Sequence, residues 1–367
     1  MLTKTCLVYN YAQHYRGGVF KLLDKELQIE SYFGDKMGDI KKLDYDELNF
    51  FKEELINIKL IGPFYWQKGV LKLFNKYDNY IFLGEYYCLS TWLFLLLSIF
   101  SKNKIILWTH GWYGNESFLK KILKKAFFNL GDQILLYGNY AKNLMIKEGF
   151  KSEKLKVIYN SLDYSSQYKI RTKLEKTSIY NEYFKNDFPV LLFIGRLTKV
   201  KKLEYIIEAQ KAFIKQGNNV NVVFIGKGVE EDNLKRIVKE NKTEELTWFY
   251  GACYAERQIG NLIFNADICV SPGNVGLTAM HAMVYGTPVI SHDNFTLQMP
   301  EFEAILKGET GDFFKHNSVD SLIEIINEWL INNENREEIR KKCFNRIDNY
   351  FNPNFQLQII KSVLDEK

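Results

Sequence analysis

Two spacings of apolar residues alternate along the chain. Short apolar runs, typical of buried strands, precede longer segments in which apolar residues recur every three or four positions, as in amphipathic helices. This repeated order is the pattern of parallel sheets built from βαβ units. In the first half, the predicted strands are residues 6–10, 58–61, 80–83, 105–109, 133–137 and 156–159. We therefore expect a doubly wound α/β domain over residues 1–163.

The alternation stops after residue 163 and resumes at residue 189. The intervening residues 164–187 are polar and have no sustained apolar period, which predicts a linker. A second doubly wound domain is predicted over residues 188–345, and the final residues 346–367 are expected to form a helix that packs back on the first domain. The predicted strands of the second domain are residues 189–194, 222–225, 246–250, 268–271 and 288–291, with helices over 256–265 and 277–285.

Size and composition fit this two-domain prediction. A chain of 367 residues exceeds what one hydrophobic core usually serves, and 46% hydrophobic with 25% charged residues is ordinary for a globular protein. A net charge of +5 is too small to indicate a nucleic-acid partner. The five cysteines are scattered, and no signal peptide or membrane-spanning run is evident, so we expect reduced thiols and a cytoplasmic protein.

Candidate ligand-binding residues follow the strands of the second half. Gly195-Arg196-Leu197 comes directly after a predicted strand, and Lys201 precedes the next helix. Arginine binds phosphate oxygens with a planar fork and lysine acts as a point charge, so the two suit a diphosphate. A loop with ordinary solvated charges remains the alternative.

A second candidate is the turn at residues 274–278, which opens a predicted helix. Glycine lets the backbone approach a ligand, and free N–H groups at a helix start favour anions, although a plain turn would look the same. Its residues are Asn274, Val275, Gly276, Leu277 and Thr278. Gly226 and Gly251 end neighbouring strands and would bring backbone close to a nucleotide, or form tight turns.

Taken in order, these motifs resemble glycosyltransferase family 4 and its relatives. The matching segments are residues 194–201, 224–228, 249–251, 265–272 and 275–290, with weaker matches at 109–111 and 157–160. The resemblance implies a GT-B fold, in which two Rossmann-like domains face each other across a cleft. It also implies a sugar-nucleotide donor held mainly by the second domain through Arg196 and Lys201, and an acceptor held mainly by the first.

The sequence departs from this family at two positions. Gly273 and His281 stand where such enzymes carry glutamates for the donor sugar and the nucleotide ribose. His281 can hydrogen-bond a ribose hydroxyl or be an ordinary helix histidine. Glu301 and Glu303 follow nearby and could provide a substitute carboxylate, with Glu303 counted among the donor-binding candidates, or they could form a polar helix start. The retaining outcome that the family implies therefore stays open.

In the first domain, the loop after the first strand contains candidate contacts. Gly17 and Gly18 resemble the family's glycine loop at the donor phosphate, and His14 and Arg16 are candidate acceptor or phosphate ligands. His110 matches the family's histidine at the reaction centre, where it could hydrogen-bond the donor sugar or, if the enzyme inverts, serve as a general base.

Further candidates of the first domain follow other predicted strands. Glu85 and Glu116 are alternative catalytic carboxylates, and Trp112 and Tyr113 are candidate sugar-stacking residues for the acceptor.

The segment 118–130 predicts a helix with basic and aromatic residues. Lys120, Lys121, Lys124 and Lys125 alternate with Ile122, Leu123, Phe127 and Phe128. Such a helix suits the anionic inner face of a membrane, which would imply a lipid-linked acceptor, or it packs on the core with a solvated lysine face. Asp44-Tyr45-Asp46 is interpreted as a solvated turn, so we predict no metal and no cofactor.

The sequence thus predicts a metal-independent glycosyltransferase that moves a sugar from a nucleoside-diphosphate sugar to a saccharide hydroxyl in surface polysaccharide or glycan assembly. A non-catalytic nucleotide-sugar-binding subunit and a sugar-nucleotide epimerase remain alternatives.

Overall fold

The computed structural model describes residues 4–36, 38, 40–331 and 335–366. The chain divides into two compact units. The first comprises Met1–Asp163 together with Asn352–Lys367, and the second comprises Tyr164–Phe351. Each is an α/β unit with its own sheet and its own hydrophobic core.

The sheet of the first unit has the strand order β4-β3-β2-β1-β5-β6-β7-β8 and is parallel except for the β3–β4 pair. Its strands are β1 (Thr5–Tyr9), β2 (Glu30–Gly34), β3 (Phe51–Lys59), β4 (Tyr65–Lys68), β5 (Asn79–Leu83), β6 (Lys104–Thr109), β7 (Gln133–Leu136) and β8 (Leu155–Val157). The helices between them are α1 (Gly17–Leu27), α2 (Leu89–Ser98), α3 (Phe118–Asn129) and α4 (Asn139–Lys147).

The strand prediction fails at one edge of this sheet. The strand expected at residues 58–61 is the end of the longer β3, and residues 60 and 61 lie in the turn before β4. Most side chains of β3 are partly or fully exposed, so the strand lacks the continuous apolar run of the buried central strands. The short strands β2 and β4 were missed too.

The second unit has a sheet with the order β11-β10-β9-β12-β13-β14, in which all pairs are parallel. Its strands are β9 (Val190–Ile194), β10 (Asn221–Ile225), β11 (Thr247–Gly251), β12 (Ile268–Val270), β13 (Val289–His292) and β14 (Gly311–Phe314). Its helices are α5 (Tyr164–Arg171), α6 (Ile179–Phe184), α7 (Glu204–Lys215), α8 (Glu231–Glu240), α9 (Glu256–Asn265), α10 (Thr278–Val284), α11 (Val319–Ile331) and α12 (Arg336–Tyr350).

The segment expected to be a linker, residues 164–187, instead contains α5 and α6 within the second unit. Arg171 on α5 forms an ion pair with Asp348 on α12, with nitrogen–oxygen distances of 3.0 and 2.8 Å. The Tyr180 hydroxyl on α6 donates to the Leu262 carbonyl at 2.7 Å. These contacts hold the helices although their sequence has no sustained apolar period.

The chain returns to the first unit after α12. Helix α13 (Pro353–Asp365) begins at Asn352, whose side chain accepts a hydrogen bond from the Phe355 amide at 3.0 Å. Ile360 and Val363 share a buried cluster with residues of α1. The chain joins the first unit from residue 352 onward, which is later than the predicted boundary at residue 346. Residues 346–350 still belong to α12 of the second unit.

Helix α3 combines a buried side with exposed apolar residues. Phe127 and Phe128 lie in the core. Lys124 is buried too, so the expectation that all four lysines of the helix face the solvent is wrong. Phe118 is 76% exposed and Leu119 72% exposed at the start of the helix. No helix in the described ranges is both long and apolar enough to cross a bilayer.

Candidate active site

The strand order of the second unit defines where its loops converge. The chain runs from β9 to β10 and β11 on one side and then continues with β12, β13 and β14 on the other. The order therefore reverses beside β9, and ligands of open α/β sheets bind at such a point, beyond the carboxyl ends of the strands. The loops after β9 and β12 contain Arg196, Lys201 and the turn at residues 274–278.

Glycines pack the loops after β9 and β10 against each other. A Cβ atom on Gly226 would lie 1.9 Å from the Gly195 carbonyl oxygen, and one on Gly228 would lie 2.0 Å from the Leu197 carbonyl oxygen. Gly226 also has a φ of +142°, which favours glycine. These close contacts account for Gly226 without a ligand. Arg196 keeps an exposed side chain beside them.

Lys201 ties the loop after β9 to the loop after β12. Its ammonium group donates to the Asn274 carbonyl oxygen at 2.5 Å and to Asn274 Oδ1 at 2.8 Å. Burial lowers the pKa of Lys201 to about 8, with Glu301 acting against this shift and Arg196 adding to it. The ammonium group has three N–H donors, and these two bonds are the hydrogen bonds that it makes to described residues. One donor is thus left for a ligand.

Hydrogen bonds to other residues of the second unit fix the turn at residues 274–278. The Val275 amide donates to Gln298 at 2.8 Å, and the Thr278 hydroxyl donates to the Ile194 carbonyl at 2.9 Å. These two groups, expected to contact the donor, therefore have internal partners. Helix α10 begins at Thr278 rather than Leu277 and is short, so we ascribe no anion binding to its dipole. Gly276, with a φ of +52°, lies near the Lys201 ammonium group.

The structure explains the glycine at position 273. A Cβ atom on Gly273 would lie 2.0 Å from the Val200 carbonyl oxygen and 2.6 Å from the Lys201 Cα atom. No side chain fits there unless the loop carrying Lys201 moves. The glutamate that the resemblance leads one to expect is therefore incompatible with this position of Lys201.

A carboxylate that sequence reasoning missed lies beside His281. Oε1 of Glu256, at the start of α9, is 2.9 Å from His281 Nε2 and accepts hydrogen bonds from Tyr285 at 2.8 Å and Gln167 at 2.9 Å. Burial alone would raise the pKa of Glu256, but these bonds outweigh it and lower the pKa to about 2. Its position at the start of the helix after β11 was the only signal in the sequence.

The other two acidic candidates of this unit, Glu301 and Glu303, differ in burial. Glu301 is buried and close enough to Lys201 to influence its pKa. Glu303, the other possible substitute carboxylate, is partly exposed, and its backbone carbonyl accepts a hydrogen bond from Arg346 at 2.7 Å. Of the two glutamates, Glu301 is therefore the better-placed candidate. Gly251 has a φ of +87°, and no atom lies within 4 Å of a Cβ placed on it, so this position faces open space.

In the first unit, the strand order reverses between β1 and β5. Glu85 follows β5 and accepts hydrogen bonds from Tyr65 at 2.8 Å and from Asn10 at 3.2 Å. Burial raises the pKa of its carboxyl group, and the two hydrogen bonds only partly offset this effect. A carboxyl group with a raised pKa suits proton transfer near neutral pH.

His110 follows β6 and lies between aromatic rings. Its ring centroid is 4.7 Å from that of Tyr137 and 6.1 Å from that of Tyr113. Burial lowers the pKa of His110 to about 4, and the cations of Arg16 and Lys124 add to the effect. The imidazole is therefore neutral near pH 7. Its Nδ1 is buried and has no hydrogen-bond partner in the described part of the chain.

Glu116 has a structural role that its sequence position did not reveal. One carboxylate oxygen accepts from Lys124 at 2.6 Å and from the Tyr113 amide at 2.8 Å, and the other accepts from the Gly114 amide at 2.9 Å. Both oxygens are thus occupied, which does not favour the expected catalytic role. Trp112 is buried with its ring 4.7 Å from the Lys124 ammonium group, so it is not an acceptor-stacking surface. Tyr113 remains partly exposed.

The loop between β1 and α1 separates its two basic residues. His14 is exposed, whereas Arg16 is buried. Gly17 starts α1, where a Cβ atom would lie 2.9 Å from Leu43, and a Cβ on Gly18 would lie 3.2 Å from the Leu162 carbonyl oxygen. Internal packing therefore favours both glycines, and their contact with a donor phosphate stays a prediction.

A protein-family model matches most of the second unit. Residues 176–346 match the model of the family described as glycosyl transferases group 1. The match lies within the second unit, Tyr164–Phe351. The match includes Arg196, Lys201 and the turn at residues 274–278, which the geometry above brings together.

Curated relatives match this chain over parts of their own length. An uncharacterized 41.2 kDa protein in the cps region of Klebsiella pneumoniae is 27% identical over 67% of this chain and 64% of that protein. The alpha-D-kanosaminyltransferase of Streptomyces kanamyceticus is 24% identical over 33% of this chain and 32% of that protein. The aligned part is thus less than two thirds of either relative.

Solved structures show that the fold is GT-B. Anabaena HepE in complex with UDP has a TM-score of 0.71 at 17% identity, covering 98% of this chain and 99% of that one. The lipopolysaccharide outer core galactosyltransferase WaaB has a TM-score of 0.72 at 16% identity, covering 99% of this chain and all of that one. In the described residues of this chain, no cluster of histidine, cysteine and acidic side chains could hold a metal ion.

Proposed function

We propose that the protein is a glycosyltransferase that moves a sugar from a nucleoside-diphosphate sugar to a hydroxyl group of a saccharide acceptor. The observation that carries this proposal is Lys201, a largely buried cation bonded to Asn274 where the strand order reverses. Exposed Arg196 adds a second charge nearby. Two cations at this edge fit the two phosphates of a nucleoside diphosphate.

The same two cations supply a reason for catalysis. When the bond between the sugar and the diphosphate breaks, negative charge develops on the leaving phosphate oxygen. Lys201 and Arg196 stabilise that charge more than they stabilise the bound donor, which lowers the barrier. The Glu256–His281 pair is the proposed contact for the nucleotide ribose, because the carboxylate accepts from His281 Nε2 and so fixes the ring, whose Nδ1 would accept a hydrogen bond from a ribose hydroxyl.

The first unit would supply the group that takes the acceptor proton. The pKa of Glu85 is raised, and its carboxylate accepts hydrogen bonds only from the uncharged side chains of Tyr65 and Asn10 among the described residues. The imidazole of His110 is neutral near pH 7. Either can accept a proton from a hydroxyl, but the raised pKa makes the Glu85 carboxylate the stronger base of the two. We propose Glu85 as the proton acceptor and His110 as a hydrogen-bonding contact of the reacting sugars.

Surface polysaccharide or glycan assembly is the proposed context. A curated relative comes from a cps region, and WaaB acts on lipopolysaccharide outer core according to its name. These relatives support a saccharide acceptor. HepE was solved in complex with UDP, which makes UDP-sugars the first donors to test.

A lipid-linked acceptor at the cytoplasmic face of a membrane is supported by exposed apolar residues on two adjacent helices. Trp92 of α2 contacts Phe127 of α3, with ring centroids 5.1 Å apart. The exposed apolar side chains of the two helices and the residues directly after α2 are Leu89, Leu93, Leu96, Leu97, Ile99, Phe100, Phe118, Leu119, Ile122 and Leu123. We call these ten residues the apolar surface. Lys125 is exposed on the same helix α3, and such a mixture suits an anionic lipid headgroup region.

The test of the proposed function is a turnover assay. The protein is incubated with UDP-, GDP-, ADP- and TDP-sugars in EDTA, with and without membrane extracts as the source of acceptors, and nucleoside diphosphate release is measured. Release that depends on the extract supports glycosyl transfer, and Lys201→Ala should abolish it. Conversion of the donor to its epimer without an extract would instead support an epimerase. Donor binding without any turnover would support the non-catalytic subunit.

A further inference from the structure

Arg16 is a buried cation that forms no ion pair with any residue in the described part of the chain. It ends the short turn His14–Arg16 before α1, and its side chain is only 7% exposed. The guanidinium carbon lies 4.7 Å from the ring centre of Trp108, 5.2 Å from that of Tyr9 and 5.4 Å from that of Tyr137. Aromatic faces stabilise a cation in this position, yet they accept no strong hydrogen bond from it.

Most N–H groups of this guanidinium are unused. Nη1 donates to the Tyr137 hydroxyl. Nε and Nη2 are buried and have no hydrogen-bond partner among the described residues. The indole Nε1 of neighbouring Trp108 is likewise buried and unpartnered in the described part of the chain. Buried donors normally have partners, and an unpaired buried charge is costly, so this surplus of donors indicates a missing acceptor.

The charges around Arg16 do not supply that acceptor. The carboxylate of Glu116 is bonded to Lys124 and to two backbone amides, and that of Glu85 accepts hydrogen bonds from Tyr65 and Asn10. His110 and Arg16 both pack against the ring of Tyr137, and His110 is neutral near pH 7. The cluster of Arg16, Trp108, His110 and Tyr137 therefore has a net positive charge at the carboxyl ends of β1, β6 and β7.

We propose that Arg16 binds an oxyanion, a carboxylate or phosphate group, that belongs to the acceptor saccharide. This inference rests on the proposed glycosyl transfer. The donor diphosphate already has Arg196 and Lys201 in the second unit, so a third cation in the first unit is available to the other substrate. The planar fork of arginine matches the paired oxygens of either anionic group. The acceptor is accordingly an acidic saccharide or a sugar phosphate.

The test compares acidic and neutral sugars as probes of the full chain. Binding of glucuronate, glucose 6-phosphate and glucose is measured by saturation-transfer NMR with UDP present. The wild type should bind at least one acidic probe roughly tenfold more tightly than glucose, the effect expected of a charge-assisted pair of hydrogen bonds. Arg16→Gln should remove this preference, and the matched surface variant Lys72→Gln should keep it.

The controls separate this inference from the proposed function. Arg16→Gln should bind UDP with the wild-type Kd. Loss of UDP binding in that variant would show that the anion belongs to the donor, and no acid preference in the wild type would overturn the inference outright. Absence of UDP binding in the wild type would instead count against the proposed function. If the melting curve shows that Arg16→Gln does not fold, Arg16→Lys, which keeps the charge without the fork, should lose most of the preference; an unchanged preference would refute the inference.

Discussion

Lys201 shows how a single side chain links the packing of a loop to the binding of a charge. The sequence placed Lys201 and Arg196 after a buried strand, which was enough to predict a diphosphate site. It did not show that Lys201 is bonded to Asn274, or that Gly273 has no space for a side chain because residues 200 and 201 lie against it. Such contacts join residues more than 70 positions apart in the chain, and no local pattern encodes them.

The lowered pKa of Lys201 predicts a pH dependence of donor binding. Lys201 is protonated below a pKa of about 8 and loses its charge as the pH rises through that value. The diphosphate of UDP is mostly ionised over this range, so the Kd for UDP should rise by about tenfold between about pH 7 and about pH 9. Lys201→Arg should flatten this profile because arginine stays charged. Titration calorimetry measures it, and a flat wild-type profile would contradict the assignment.

Glu116 should matter for stability. It forms a buried pair with Lys124, whose side chain is 3% exposed, so Glu116→Gln leaves an unpaired buried ammonium group. Urea unfolding should show a loss of about 3–5 kcal/mol. The pKa of Glu116 is lowered because the hydrogen bonds from Lys124 and the amides outweigh burial, so this stabilisation is present at neutral pH and is lost on acidification below the ordinary carboxyl range.

Two further variants check this interpretation of Glu116. Glu148→Gln removes the more exposed pair with Lys121 on the same helix and should cost only about 0–1 kcal/mol. The double variant Glu116→Gln with Lys124→Met should recover part of the lost stability, since no charge is then left unpaired. Equal stability of Glu116→Gln and the wild type would disprove a structural role.

At the scale of helices and strands, burial decides which elements the sequence reveals. Central strands such as β6 and β9 have continuous apolar runs because helices cover both faces, and both were predicted within two residues. Edge strand β3 and helices α5 and α6 have no such pattern, since neighbouring elements provide only part of their burial. Helix α3 was predicted correctly as an element, but which of its lysines is buried depends on Glu116.

The apolar surface on α2 and α3 predicts binding to anionic membranes. Leu119→Asp should lower the partition coefficient onto phosphatidylglycerol-containing vesicles by about tenfold or more, because burying one leucine contributes about 1.5–3 kcal/mol. Ile61→Asp is the matched control, since Ile61 is 88% exposed in the turn after β3 and outside the apolar surface. Vesicle flotation measures the effect. Wild-type binding by Leu119→Asp, or no binding by the wild type, would exclude this surface.

At the scale of the whole molecule, the restart of the βαβ pattern predicted two Rossmann-like units. The order of motifs predicted the fold that the HepE and WaaB structures share with this chain. The assignment of residues 164–187 and the return of the chain to the first unit after residue 351 were predicted less well. They depend on which unit buries a given helix, as α13 shows by packing on α1, and that choice has no local signature in the sequence.

The most direct test of the donor site is nucleoside diphosphate binding by the full chain in EDTA. Titration calorimetry of UDP, GDP, ADP and TDP identifies the tightest ligand of the wild type. Arg196→Ala and Lys201→Ala should each weaken its binding by about tenfold or more, as expected for the loss of a charge-assisted hydrogen bond. Lys199→Ala, which removes an exposed charge from the same loop, should bind like the wild type. Wild-type affinity in both the Arg196 and Lys201 variants would contradict a diphosphate site at the carboxyl ends of β9 and β12.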